Sequence, residues 1–395
     1  MKKAQLLNEI MGVPKVLDFW VDYFSYILAG MAKGIVSKDE IEESEITYLN
    51  NENEEVEGVA YRSRAKMEGK EFMDWVLKLG GYEDLKALLT DPKFKQFPLY
   101  KPDVTLTLYF MPKEIVENFA EASHSYDVTK NALSKIGNNE ILVNQNFGFQ
   151  IYLTLEDLDK LDVEVLRKKL KPTISHELLH AYEGYQRVKT SGDPYQGRET
   201  FLNAVVRLMS DEKYPQWKQF LHLVYLHLGF EINARIPQFY YDIKDKDIKN
   251  YDEFMAELKK SSAWVELQML ENFDAQKFIN SFKAKGLDLV EMLEDLGKQL
   301  KRGAQGLPTI KQTKSPEEGM KHLIQGWDYV LQMLNSQIKA TGIYKGKLMD
   351  LVPLKAMKDP YEFFKFFEKR FHKKADRFKR KLYRISTLVI DKNLV

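Results

Sequence analysis

Ile174-Ser175-His176-Glu177-Leu178-Leu179-His180-Ala181-Tyr182 is the stretch on which the reading of this chain turns. Ile174, Leu178, Ala181 and Tyr185 recur at three- and four-residue spacing, which predicts a helix with one buried face. Thr173 or Ser175 can cap its start. His176 and His180 are four apart, so on that helix they stand one turn apart on the same side. Two neutral imidazoles so placed can reach one tetrahedral metal ion. Glu177 lies about 100° round the helix from His176, off the row of imidazoles yet beside it. From there its carboxylate can take a proton from a water that the ion activates. Two imidazoles without partners on a partly buried helix would be costly, a second reason to expect a metal.

Two histidines leave such an ion in need of a third protein ligand, with water in the fourth place. The chain has no cysteine, which excludes thiolate ligands, disulfides and a cysteine nucleophile. The metzincin spacing would put a glycine at 183 and a histidine at 186; Glu183 and Gln186 stand there, so that class is rejected. Three carboxylates compete. Glu183, one turn past His180, would crowd all three ligands onto one helix. Glu199 opens the segment Glu199-Thr-Phe-Leu-Asn203, near the short spacing of thermolysin-like enzymes. Glu231 sits among Leu228, Phe230, Ile232 and Ile236, where a charge needs a partner. Ala234 lets a second helix pack close to it, and Arg235, four residues on, can hold a carboxylate by charge. Glu231 is preferred on these grounds, with Glu199 the main alternative.

The segment His176-Glu-Leu-Leu-His180-Ala-Tyr182, followed by Glu231-Ile-Asn-Ala-Arg235, resembles the gluzincin branch of the zincin metallopeptidases. It is similar in particular to HExxH…ExxAR proteins of large bacteriophages and some bacteria. The resemblance covers residues 140 to 242 at most. It implies His176, His180 and Glu231 as ligands of Zn2+ and Glu177 as general base. A protein or peptide would be the substrate. Thermolysin-like members carry Asp four residues after the ligand glutamate, where this chain has Arg235. The resemblance also implies a sheet edge beside the site, with Phe149 to Thr154 or Glu140 to Asn144 as the candidates. Tyr225, His227, Arg235, Tyr240 and Tyr241 are candidates for stabilising an oxyanion. His227 shares a helical face with Glu231 and is an alternative ligand.

Val104-Thr-Leu-Thr-Leu-Tyr-Phe110 alternates and is rich in β-branched and aromatic residues, so it reads as a strand. Glu140 to Asn144 and Phe149 to Thr154 read as two more. Helices are expected over Val16 to Leu28, Lys70 to Leu79, Glu83 to Leu89 and Lys113 to Ala122. Asp162 caps another from Val163 to Leu170, which Pro172 breaks or kinks. Further helices follow over Glu199 to Leu208 and Trp217 to Tyr241, and beyond Tyr251 the chain is helical with loops at Gly303 to Pro308 and Thr341 to Gly346. The acidic stretch from Asp39 to Glu57 reads as a solvated linker.

The expected architecture is thus helix-rich α+β. A zincin-like core over 101–250 carries a small sheet followed by the HExxH helix. A helical region with its acidic linker precedes it over 1–100, and a helical region with a basic tail follows over 251–395. Length fits two or three structural units, and 44% hydrophobic and 12% aromatic content describe a globular chain. Net charge is +1, so no global field favours nucleic acid. Asp18 and Asp22 interrupt the apolar N-terminal run, which makes a poor signal peptide, and no apolar run is long enough to span a bilayer. A cytoplasmic protein is expected, or a virion-associated one if viral.

One charged segment stands out: Lys369-Arg370-Phe371-His372-Lys373-Lys374, then Arg377, Lys379, Arg380, Lys381 and Arg384. Phe366, Phe367, Phe371, Phe378 and Leu382 give it an apolar stripe, so it reads as an amphipathic helix with a solvated basic face. An acidic partner, protein or nucleic acid, would suit that face; a membrane would not, because the core needs the aromatics. His124, His222, His322 and His372 read as ordinary, and no phosphate-binding loop or dinucleotide fingerprint occurs. The expected function is zinc-dependent peptide hydrolysis. The alternative is a structural protein, such as a virion component, whose zincin-like core binds metal with little turnover.

Overall fold

A computed structural model describes residues 16–36, 41–50, 52, 54–116, 119–127, 132–136, 139–158, 160–191, 215–227, 230–284 and 360–390. In chain order they form α1 (Val16–Val36), β1 (Glu42–Leu49), β2 (Glu55–Met67), α2 (Gly69–Gly80), α3 (Leu85–Thr90) and β3 (Asp103–Met111). Then come β4 (Ala120–Tyr126), β5 (Leu133–Ile136), β6 (Asn139–Leu142), β7 (Gln145–Thr154) and α4 (Val163–Ser191). The rest is helical: α5 (Pro215–His227), α6 (Phe230–Ile243), α7 (Tyr251–Lys260), α8 (Ser262–Glu271), α9 (Ala275–Ala284) and α10 (Pro360–Val389). The helix-rich α+β class is therefore as expected. The expected helix from Glu199 and the loops at Gly303 and Thr341 lie outside the described residues. No described helix is long and apolar enough to cross a membrane.

The chain divides into two compact units. One comprises Met1–Val188, Ala234–Phe254 and Ile385–Val395; the other comprises Lys189–Asn233 and Met255–Arg384.

The first unit is built on a five-stranded sheet of order β1-β2-β3-β7-β4. The central pair, β3 and β7, is parallel with Leu106 opposite Phe149; every other pairing is antiparallel. Period-two alternation puts Val104, Leu106, Leu108 and Phe110 on one face with Phe147, Phe149, Ile151 and Leu153, all buried. Against that face Phe24 of α1 meets Phe147 at 5.0 Å and Phe72 of α2 at 4.7 Å between ring centroids. Each such side chain contributes about 1.5–3 kcal/mol by leaving water. Trp20 of α1 also donates its indole N–H to the carbonyl of Phe97 at 2.9 Å. The opposite face carries Tyr109 stacked on Tyr152 at 5.2 Å.

Several expectations need correction. The acidic stretch is not a linker: β1 and β2 form an antiparallel hairpin from it. Asn50 shapes the turn, its side-chain oxygen accepting from the N–H groups of Glu52 at 2.9 Å and Glu54 at 3.0 Å. Because β1 is an edge strand solvated on nearly all positions, it needs no apolar alternation, and its glutamates discourage further pairing. The expected helix from Lys113 to Ala122 is a short 3-10 turn at Lys113–Ile115 and then strand β4. The helix that Pro172 was expected to break or kink continues past it as one element, α4. Trp217 to Tyr241 comes as two helices, α5 and α6. Neither strand proposed as a sheet edge is one in the main sheet. Phe149 to Thr154 belongs to β7, which is flanked on both sides, and Glu140 belongs to β6, paired with β5 in a separate two-stranded sheet.

The described residues of the second unit are helical, with an aromatic core around Phe220 of α5. Its ring lies 5.1 Å from Phe364 and 5.3 Å from Phe367, both on α10, and 5.6 Å from Phe278 on α9. Phe363, Phe364, Phe367, Phe371 and Phe378 of α10 are fully buried, which leaves the basic side chains to the other face of that helix.

Candidate metal centre

Helix α4 positions the two histidines. Asp162 caps it as expected, accepting from the N–H groups of Glu164 at 2.9 Å and Val165 at 3.0 Å. A proline within a helix removes one hydrogen bond and costs about 3 kcal/mol. Here Leu166, Leu170, Ile174 and Leu178 form a buried stripe at four-residue spacing that passes Pro172 without interruption. Breaking the helix would forfeit the burial of several of these side chains at about 1.5–3 kcal/mol each, so the stripe prevails. The Ser175 hydroxyl donates to the Pro172 carbonyl at 2.7 Å within the same turn.

The polar side of α4 then presents His176 and His180. Their Nε2 atoms lie 3.0 Å apart, with the rings 4.7 Å apart and nearly perpendicular. Glu231 stands in the first turn of α6. Ligand atoms of His176, His180 and Glu231 all lie within 4.8 Å of one another. His176 and Glu231 are buried, at 8% and 5% exposure, and His180 is half-buried. Buried carboxylates and imidazoles are retained when something pairs with them.

The donor set fits a divalent ion such as zinc. With Zn–N bonds of 2.0–2.1 Å, two nitrogens on a tetrahedral ion stand about 3.3 Å apart, close to the separation seen between the two Nε2 atoms. Two nitrogens and one carboxylate oxygen are also the ligand types that zinc accepts at sites with an open fourth position. Glu177, the neighbour of His176, is 6% exposed.

Among the described residues the group with metal-holding geometry is limited to these three. Glu183 is instead 3.5 Å from Arg187, one turn along the same helix. Glu199 lies outside the described residues. His227 is not in the group: its ring faces Phe371 at 6.1 Å, and burial, then the charges of Lys374 and Arg370, push its pKa down to about 4. Tyr241 donates its hydroxyl to Asp18, and burial, then the Asp18 charge, raises its pKa well above the ordinary value. Tyr240 is pushed up to about 12, by burial first. Tyr225 stacks on His222 at 6.3 Å. Arg235 donates to Gln238 at 2.7 Å.

Strand β4 adds residues that sequence reasoning missed. Tyr126 at its end donates its hydroxyl to the carbonyl of Ala181 at 3.0 Å, one residue beyond His180. Gly184 of α4 lies against the same ring: a Cβ there would come within 2.2 Å of the Tyr126 oxygen. His124 of β4 hydrogen-bonds Gln145 at 3.2 Å and meets Tyr126 edge-on. Burial, then the nearby His180, pushes His124 down to about 3, so it is neutral at ordinary pH. The signal in the sequence was Gly184 itself, an unfavourable residue inside a helical pattern that asks for a packing reason.

Against protein-family models, curated proteins and solved structures, the chain matches none.

Proposed function

We propose that this protein is a zinc-dependent hydrolase of peptide bonds, with His176, His180 and Glu231 as the metal ligands and Glu177 as the general base. The observation that carries the proposal is the convergence of the three ligand atoms within 4.8 Å, two from α4 and one from a helix distant in sequence. A zinc ion held there supplies a Lewis acid that polarises a carbonyl and acidifies a water. Glu177 has the remaining role: its carboxylate takes a proton from the attacking water and delivers it to the departing amine. Strand β4 fits the reading as a place for an extended substrate, since among the described residues it pairs in the sheet with β7 alone.

The test separates metal binding from turnover. Glu177→Gln keeps all three ligands and removes the base. The expected result is unchanged zinc content with cleavage of a denatured protein substrate reduced by about 10²–10⁴-fold. A wild-type protein that holds zinc and cleaves no protein substrate would instead support a structural, metal-binding role.

A further inference from the structure

Helix α10 carries a feature that the metal centre does not use. Lys369, Lys373, Arg377, Arg380 and Arg384 are all exposed, and their spacing of four, four, three and four residues places them in one row along a single helix face. At 1.5 Å per residue the row runs about 22 Å. Asp376 is the exposed acidic side chain within it. Basic residues beside the row are engaged within the protein. Lys365 pairs with Glu368, Lys379 with Glu271 at 2.8 Å, and Lys381 donates to Asn233 at 3.0 Å. Lys369, Lys373 and Arg377 make no ion pair with the described residues. Lys369, Lys373 and Arg377 thus stand apart from the cations that tie the helix down, and Arg380 donates its Nε–H to the Asp376 carbonyl at 3.2 Å within the row.

The chemistry of the outward face narrows the partner. A bilayer surface would require apolar side chains to insert beside the charges. Those of α10 are committed to the core: Phe363, Phe364, Phe367, Phe371, Phe378 and Leu382 are fully buried. A stable protein interface centres on apolar or aromatic anchors. The exposed large apolar side chain of α10 is Tyr361, more than two turns before Lys369. What remains is regular point charge without an apolar centre, the surface that neutralises a phosphate backbone and releases its counterions. We infer that the outer face of α10 binds the sugar-phosphate backbone of nucleic acid without sequence preference.

The test uses the full-length protein and a fluorescein-labelled 20-base-pair DNA duplex of arbitrary sequence, followed by anisotropy from 50 to 200 mM salt. Lys373→Gln, Arg377→Gln and Arg380→Gln together alter only exposed positions, and unchanged circular dichroism confirms the fold. The expected wild-type result is binding that weakens steeply with salt and is indifferent to sequence. The triple variant should bind more weakly at every salt concentration. Its log–log salt slope should be shallower by about 1 per side chain removed, about 3 in all. Absence of duplex binding at 50 mM salt would overturn the inference, as would a salt slope that the triple variant leaves unchanged. Binding to poly-glutamate or to phosphatidylserine vesicles but not to the duplex would also overturn it, by assigning the face to an acidic protein or a membrane.

Discussion

Replacing Gly184 by alanine tests how closely strand β4 approaches the metal helix. In an open helix this change would stabilise by about 1 kcal/mol, because alanine is the better helix former. In α4 the added methyl would lie 2.2 Å from the Tyr126 hydroxyl oxygen, 2.9 Å from Cζ and 3.0 Å from Cε2. Tyr126 is 7% exposed and its ring lies 4.7 Å from that of His124, so it has little room to withdraw. Overpacking of this kind costs about 1–3 kcal/mol. Displacing the ring also breaks the hydrogen bond to Ala181, worth about 0.5–1.5 kcal/mol. Less the helical gain, the net loss is about 0.5–3.5 kcal/mol. Urea unfolding followed by circular dichroism gives the shift in midpoint. Tyr126→Phe removes the nearest atom, so Gly184→Ala should cost less in that background, with a coupling above about 0.5 kcal/mol. A Gly184→Ala protein as stable as the wild type, or more so, would refute the close approach.

Two further outcomes follow from the same packing. Pro172→Ala should raise stability by about 1–3 kcal/mol in urea unfolding, since it restores a backbone donor in the middle of α4 while leaving the buried stripe in place. In the second unit, burial alone would raise the pKa of Glu368. The hydrogen bond from Lys365, the Ala275 N–H at 2.8 Å and the charges of Lys365 and His372 outweigh it, so the folded value lies below the ordinary one. A lowered folded pKa adds stability that is present above the unfolded value, near 4.5, and is lost as pH falls through the folded value. The stability advantage of wild type over Glu368→Gln should therefore persist at pH 7 and shrink as pH falls below 4.5 and through the lowered folded value. An advantage independent of pH would contradict the pairing.

The sequence was most legible where burial imposes a period. β3 and β7 alternate because one face packs on α1, and α4 shows its buried face at helical spacing. The metal group was legible because its chemistry fixes the spacing of His176 and His180 and because Glu231 is a charge set among apolar residues. Strand β4 was opaque for a physical reason. Ala120, Ala122 and His124 turn one way and Glu121, Ser123 and Ser125 the other, so the alternation is carried by small residues. Alanine and glutamate favour helix locally, and pairing with β7 overrides that preference. β1 was opaque because an edge strand wet on both faces leaves no hydrophobic signature. At Pro172 a local rule, sound in itself, lost to a stripe of four buried side chains that extends past it. The consequence for the site is that the strand beside the metal helix is β4, whose first residues, Ala120 to Ala122, had been expected to end a helix.

Whether His176, His180 and Glu231 bind one metal ion is measured directly by zinc titration. Wild type loaded with zinc and freed of excess by gel filtration should retain one ion per chain by elemental analysis. Glu231→Ala should bind at least about tenfold more weakly, since a ligand is lost, whereas Glu177→Gln should bind as the wild type does. A wild-type chain that retains no zinc, or a Glu231→Ala chain that binds it as tightly, would contradict a three-ligand site.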